Sequence, residues 1–378
     1  MSACNSVNKD SANDNLHFTF SEHIAPIIYK NCSPCHRPGS GAPFDLITFE
    51  DVKEHLKTVQ LTINERLMPP WPADTAYSHF RDEKVITKEE IYAVNKWIEE
   101  GAVEGDNSKL PSPPVFYSGS LLGKPDLTLK MKPYKISGDN KDNFIMLKIP
   151  FELEKDTFIR AIEIIPGNKK LVHHINAHLI QYSAGAKKNG AILLDNIHYG
   201  PSPIDTSDET EFNIFFAPKA PARPTTEFIL GTSGISPVVP TLIIPPNEVK
   251  TFVTRFKVDS DISLLTVNPH MHLLGKKFVA YGITPGNDTL HLIRINNWDF
   301  RWQYFYTFEK MVKIPAGTEI VVEGTFDNTV NNPLNPFNPP RTVSEREGSM
   351  RTTDEMFQLI CTFLPYQSGD ENISLKAK

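Results

Sequence analysis

The apolar positions of this chain change their period part-way along it, and the change divides the molecule. In the first hundred residues they recur at helical spacing. Ser21 stands as a cap in front of Ile24, Ile27 and Ile28, which fall on one face. Thr87 and Glu90 read as a capping box, followed by an apolar stripe of Ile91, Val94, Trp97 and Ile98 and by Gly101 as the stop. From Gly105 to Asp126 the chain is rich in proline and glycine and reads as a linker. Beyond it the apolar residues alternate, or run in short β-branched stretches between turn residues, as in NFIMLKIPFEL, TFIRAIEIIPG and TEIVVEGTFDN. A period of two belongs to strands, and many short strands imply sandwiches or barrels.

Length and composition sharpen that outline. With 378 residues, two or three domains are expected, so a helical unit of about 90 residues leaves room for two medium β domains. Thirty-one prolines suit a loop-rich β protein. The net charge of −6 and the lack of any basic run exclude a nucleic-acid partner. No apolar run is long enough to span a membrane.

Candidate chemistry begins at NCSPCHRPG, Asn31 to Gly39. A zinc ribbon would need a second ligand pair, a redox dithiol needs no histidine, and a c-type haem needs both cysteines and the histidine. The only other cysteines, Cys4 and Cys361, are isolated, so haem attachment is favoured, with thioethers at Cys32 and Cys35 and His36 as the proximal ligand. Met68, in ERLMPPWPAD, is the candidate second axial ligand, held on a stiff extended segment by Pro69 and Pro70. On these motifs, residues 17–106 resemble the single-haem cytochrome c domains found in front of bacterial secreted oxidoreductases. Haem attachment implies export, to the periplasm or the outer cell envelope. Residues 1–16 read as a polar tether, and the small-small-Cys step at Cys4 resembles a lipoprotein processing site, which implies a lipid anchor on the membrane.

Histidines cluster in the β-rich part: His173, His174 and His178 in LVHHINAHLI, His198 in NIHYGPSP, and His270 with His272 in NPHMHLLGKKF. Residues i and i+2 of a strand share a face, so His270 and His272 can close on one metal, whereas His173 and His174 need a bulge or strong twist to do so. A thioether as third ligand disfavours zinc and favours Cu(I), and GSMRTTDEMFQLICTFLPY supplies one. His-His, His-Tyr, His-x-His and Asp-Glu-Met in that order resemble the type 2 copper monooxygenases that include peptidylglycine hydroxylase and dopamine β-hydroxylase. The segments TEFNIFFAPKAP, WDFRWQ, IPAGT and FDNTVNNPLNP extend the resemblance over nearly everything after Asp126.

That resemblance implies a multidomain chain: a small all-α cytochrome c domain, a linker at 107–125, and two all-β jelly-roll sandwich domains at 126–238 and 239–378. It implies two copper ions. His173, His174 and His198 would hold an electron-transferring copper, with His178 as the rival of His198 because the interval between the two histidine motifs is short. His270, His272 and Met356 would hold the copper that meets O2 and substrate. The remaining histidines, His17, His23, His55, His79 and His291, have no partner motif and read as structural or surface residues. Cys361 reads as a buried apolar residue.

The function these expectations compose is hydroxylation of a C–H bond in a small-molecule or peptide substrate, with O2 as co-substrate and an external donor feeding electrons through the haem. The competing reading is a haem and copper electron-transfer or copper-binding protein without oxygenase activity. Two ligand sets of different softness weigh against it, because storage needs no such difference.

Overall fold

Between Phe20 and Glu99 the chain is helical, at Ala25–Asn31, Phe49–Glu54, Leu56–Asn64 and Lys88–Glu99. The computed structural model describes residues 17–116, 120–141, 143–182, 190–346 and 351–376; the side chains of His173, Asp195 and Asn196 lie outside the description, as does the tether with Cys4. The expected capping box is formed: the Thr87 hydroxyl accepts from the Glu90 N–H at 3.1 Å, and the Glu90 carboxylate accepts from the Thr87 N–H at 2.8 Å. Val94 and Trp97 are fully buried, and Ile91 and Ile98 pack beside them. Gly101 ends the helix with φ of +95°, a left-handed conformation that a side chain would strain.

Ser21 is not the cap of the first helical stretch. Thr19 holds that position, while Ser21 lies inside the first turn and donates its hydroxyl to the Glu104 carbonyl at 2.9 Å. A serine hydroxyl satisfies either kind of acceptor, and here the returning chain supplies one. Phe20, Ile24, Ile28, Val52, Val59 and Trp97 close a small helical region with its own core.

The chain divides into two units, Met1–Pro69 with Val85–Ala220, and Pro70–Lys84 with Pro221–Lys378. In the first, two antiparallel sheets of three strands share a core. One orders Leu127–Lys130, Glu211–Phe216 and Ile159–Ile165; the other orders Asn143–Phe151, Gly190–Tyr199 and Val172–Gln181. Phe212 and Ile214 of the former meet Leu194, Ile197 and Tyr199 of the latter in one apolar cluster. The expected alternation is visible in Asn143–Phe151, where Phe144, Met146, Lys148 and Pro150 face out.

In the second unit a five-stranded sheet contains Val249–Lys257, Glu319–Asp327 and Gly275–Ile283 among its strands, and a four-stranded sheet runs Tyr306–Ile314, Ile262–Met271, Phe357–Pro365, Thr226–Gly231. Phe357 of the second sheet packs on Phe278 and Phe326 of the first, with ring centroids 5.7 and 6.0 Å away. Gly324 faces the same ring, and a Cβ there would lie 2.6 Å from it, so the sheets approach this closely only over a glycine. Both units are compatible with β-sandwiches. Cys361 is fully buried in this core, as its apolar surroundings predict.

Pro70–Lys84, which the sequence reading places within residues 17–106, packs on the second unit. Ala73 and Phe80 bridge to Ile295 and Phe308, Asp74 pairs with Arg294 at 2.7 Å, and Tyr77 stacks on His291 at 4.2 Å. His291 thus has a structural role, as expected of it.

Candidate metal centres

The second unit builds its site at the end of a strand pair. Ile262–Met271 and Phe357–Pro365 run antiparallel with His270 opposite Gln358 and Met271 opposite Phe357, so the register continued one step sets His272 opposite Met356. The two imidazoles lie on one face, with centroids 5.0 Å apart and planes at 90°. His272 Nδ1 is 2.8 Å from the Asp354 carbonyl, which can only accept, so Nδ1 carries the proton and Nε2 keeps its lone pair. His270 Nδ1 is 2.5 Å from the Gln303 side-chain oxygen. The amide of Gln303 is oriented by its own donation to the Phe300 carbonyl at 2.8 Å, which leaves His270 in the same tautomer. Burial lowers the pKa of His272 and keeps the ring neutral, the form that binds a metal. Two Nε2 donors and a half-buried thioether at Met356 suit a soft, electron-rich copper ion.

Glu355 is a residue that sequence reasoning passed over. Its carboxylate is 1% exposed and accepts three backbone N–H groups, from His272 at 3.0 Å, Leu274 at 2.8 Å and Met356 at 3.3 Å. Burial pushes its pKa up to about 8, against the lowering effect of those three bonds. Asp354 and Gln303 were also missed, because a backbone carbonyl and a neutral amide leave no mark on a motif. Their only sequence signal is position, in DEM and WDFRWQ.

In the first unit His174 pairs directly with His198 across the strands, with ring centroids 5.1 Å apart at 70°. Phe144 stacks on His198 at 4.2 Å from the other side. A register irregularity falls between Val172 and His174, at the position where the paired histidines call for a bulge; the side chain of His173 itself lies outside the described residues. His178 pairs with Leu193, four residues further on, or about 13 Å along a strand at its usual rise. The structure therefore brings His174 and His198 together and leaves His178 apart. Among the described residues no three His, Cys, Asp or Glu side chains converge. Met356 is not of those residue types, and the side chain of His173 lies outside the described residues.

In the helical region the Cys-x-x-Cys-His stretch forms a tight turn, with the Cys35 and His36 N–H groups donating to the Cys32 carbonyl at 3.1 and 2.9 Å. His36 Nδ1 lies 3.0 Å from the Phe44 carbonyl, so this ring too holds its proton on Nδ1 and offers Nε2, as an axial haem ligand must. Burial pushes the Cys32 thiol up to about 12, the opposite of what a thiolate redox pair needs. Met68 is half-buried, with its N–H donating to Thr62.

The strand-end histidine pair lies in a segment similar to a known family. Residues 235–335 match the family described as copper type II ascorbate-dependent monooxygenase, C-terminal domain. The enzyme class this indicates is an oxygen-incorporating oxidoreductase that uses copper. The matched segment includes His270 and His272. No curated protein matches the chain. Among solved structures it is similar to one of infectious bursal disease virus, Gt strain, with 12% identity over 69% of this chain and 77% of that one and a TM-score of 0.18, too slight a likeness to carry an argument.

Proposed function

We propose that this chain hydroxylates a C–H bond of an organic substrate with O2 at a copper held by His270, His272 and Met356, with electrons supplied through a haem attached at Cys32 and Cys35 and ligated by His36 and Met68. In this reading the helical region is a cytochrome c domain, the two β units are jelly-roll sandwiches, and His173, His174 and His198 hold a second copper. The protein would work outside the cytoplasm, in the periplasm or outer envelope, anchored through Cys4. The observation that carries the reading is the His270–His272 pair, both Nδ1 atoms committed to protein acceptors, inside the segment matched to a monooxygenase domain.

Bound there, copper supplies activation of O2, and the haem supplies electrons one at a time. The chain's own contribution is to prepare the ligands. Gln303 and the Asp354 carbonyl hold the imidazoles in one tautomer, so that no proton has to leave before a metal binds. Met356 offers a soft donor that favours the reduced ion. Glu355 ties the two ligand-bearing strand ends together through backbone bonds. A copper held by His173, His174 and His198 would have an all-nitrogen ligand set, which suits electron transfer better than oxygen chemistry.

The test is metal and haem analysis of exported protein, followed by incubation with candidate substrate extracts under isotopically labelled O2 and mass spectrometry. One covalent haem, two coppers and a product carrying one labelled oxygen are expected. Zinc in place of copper would overturn the copper reading. Full cofactor content without label or oxygen uptake would leave an electron carrier.

A further inference from the structure

In the four-stranded sheet of the second unit, strand pairing fixes which outward residues stand side by side. His270 lies opposite Gln358, and Gln358 opposite Gly231. Gln303 completes that row through its bond to His270. One row further from His272, Asn268 lies opposite Ile360, and Ile360 opposite Ile229. Thr266 pairs with Thr307 and Val267 with Tyr306, so the register continued one step sets Asn268 opposite Phe305. The alternating neighbours Val267, Met271, Leu359, Cys361, Leu230 and Tyr306 belong to the core, which places both rows on the opposite face.

The second row is apolar where the first carries the metal ligand. Phe305 is 64% exposed, and Ile229 and Ile360 are half-buried. A single exposed apolar residue is ordinary on a surface, but three in one row beside His270 make a continuous patch. Within the two rows only His270 is ionisable. The next row brings Glu227, whose carboxylate already accepts the Thr362 hydroxyl at 2.9 Å. Arg301, two residues before Gln303, is committed to Asp299 by bonds at 2.9 and 2.6 Å. A charged group set down on this row would therefore give up hydration without meeting a counter-charge. The row's polar member is Asn268. Its Nδ2 donates to the Tyr304 carbonyl at 2.8 Å, which fixes the amide and leaves its oxygen as a neutral acceptor.

Resting on the function proposed above, we propose that the row of Phe305, Asn268, Ile360 and Ile229 seats the substrate, and that the substrate is an uncharged molecule with an apolar group. That group lies on Phe305, Ile360 and Ile229, and a neutral hydroxyl or amide N–H donates to the Asn268 side-chain oxygen. Two residues along a strand separate the rows by roughly 7 Å, so the carbon presented to the ligand row is several bonds away from the seated group.

The test uses the full chain, as purified and again after a chelator has removed copper, so that binding is read with and without the metal's charge. Three probes share one apolar body: 3-phenylpropanol, 3-phenylpropanoate and 3-phenylpropylammonium. Binding is titrated by saturation-transfer NMR, and the melting temperature of every variant is recorded. In both preparations the alcohol binds saturably and about tenfold more tightly than either ion, the difference being the ions' lost hydration. Phe305→Ala, at an exposed position, and Ile360→Thr, which keeps the β-branching of the strand, each weaken alcohol binding about fivefold at unchanged melting temperature. Val239→Ala, at an exposed apolar position of the five-stranded sheet, leaves it unchanged. No saturable binding of the alcohol, an ion bound as tightly as the alcohol, parental affinity in Phe305→Ala or Ile360→Thr, or equal weakening in Val239→Ala would each overturn the seat. Copper content, measured separately, keeps this proposal apart from the one it rests on. A chain that holds two coppers without preferring the alcohol loses the seat and keeps the proposed function; one that prefers the alcohol but takes up no copper keeps the binding site and loses the proposed function.

Discussion

The carboxylate of Glu355 accepts the backbone N–H of His272 at 3.0 Å inside a core that leaves Glu355 only 1% exposed. With its bonds to Leu274 and Met356 it holds the ends of both ligand-bearing strands. Replacing it by alanine leaves three buried N–H groups unsatisfied, and at about 1–3 kcal/mol for each such group the expected loss of stability is ~3 kcal/mol or more. Urea unfolding measures it. Glu355→Gln, which keeps one acceptor oxygen, should fall between the two, and copper should dissociate faster from both variants.

Met356→Ile separates ligation from packing. The side chain is only half-buried, so the fold and the haem spectrum should be retained, and His270 with His272 should still bind copper. Without the soft donor the cuprous state is less favoured, and oxygen uptake with a chemical reductant should fall by at least an order of magnitude. Uptake at the parental rate would make Met356 a packing residue.

The first-unit histidines make a stoichiometric prediction. His174→Ala or His198→Ala should each remove one copper from two, because these rings face each other across the strand pair. His178→Ala should retain both. Metal analysis after exhaustive dialysis decides it, and loss of copper from the His178 variant alone would reverse the assignment.

Acid stability should depend on Asp370. Bidentate bonds from Arg223 at 2.6 and 2.9 Å, with the Ser263 hydroxyl at 2.5 Å, hold its carboxyl well below the usual carboxylate range. A depressed folded-state value means the stabilisation is present at every pH above the unfolded-state value and is lost as pH falls toward the folded one. Asp370→Asn should therefore be less stable than the parent at neutral pH, with the difference shrinking as the solution is acidified. Thermal unfolding across the acid range measures this, and a difference constant with pH would remove Asp370 from the account.

Much of the molecule was legible in its order of residues. The switch of apolar period, the Thr87–Glu90 box, the Gly101 stop and the one-sided placement of His270 and His272 are local properties, set by neighbours three or four residues away on a helix or two on a strand. The same locality misled at Ser21, where a capping residue type was drawn inward by Glu104, eighty-three positions along the chain. Which histidine partners His174 depended on register and on two irregularities in the strand pairing, and a shift of one residue would reverse every side chain. Glu355, Gln303 and the Asp354 carbonyl act on groups that no motif records, and Pro70–Lys84 joins the second unit through contacts with residues more than two hundred positions later. Periodicity and capping are decided by short-range sterics and hydrogen bonds that the sequence spells out. Ligand orientation and the allegiance of a segment are decided by which distant backbone and side-chain groups the closed core brings within hydrogen-bonding distance, and only the tertiary structure contains that.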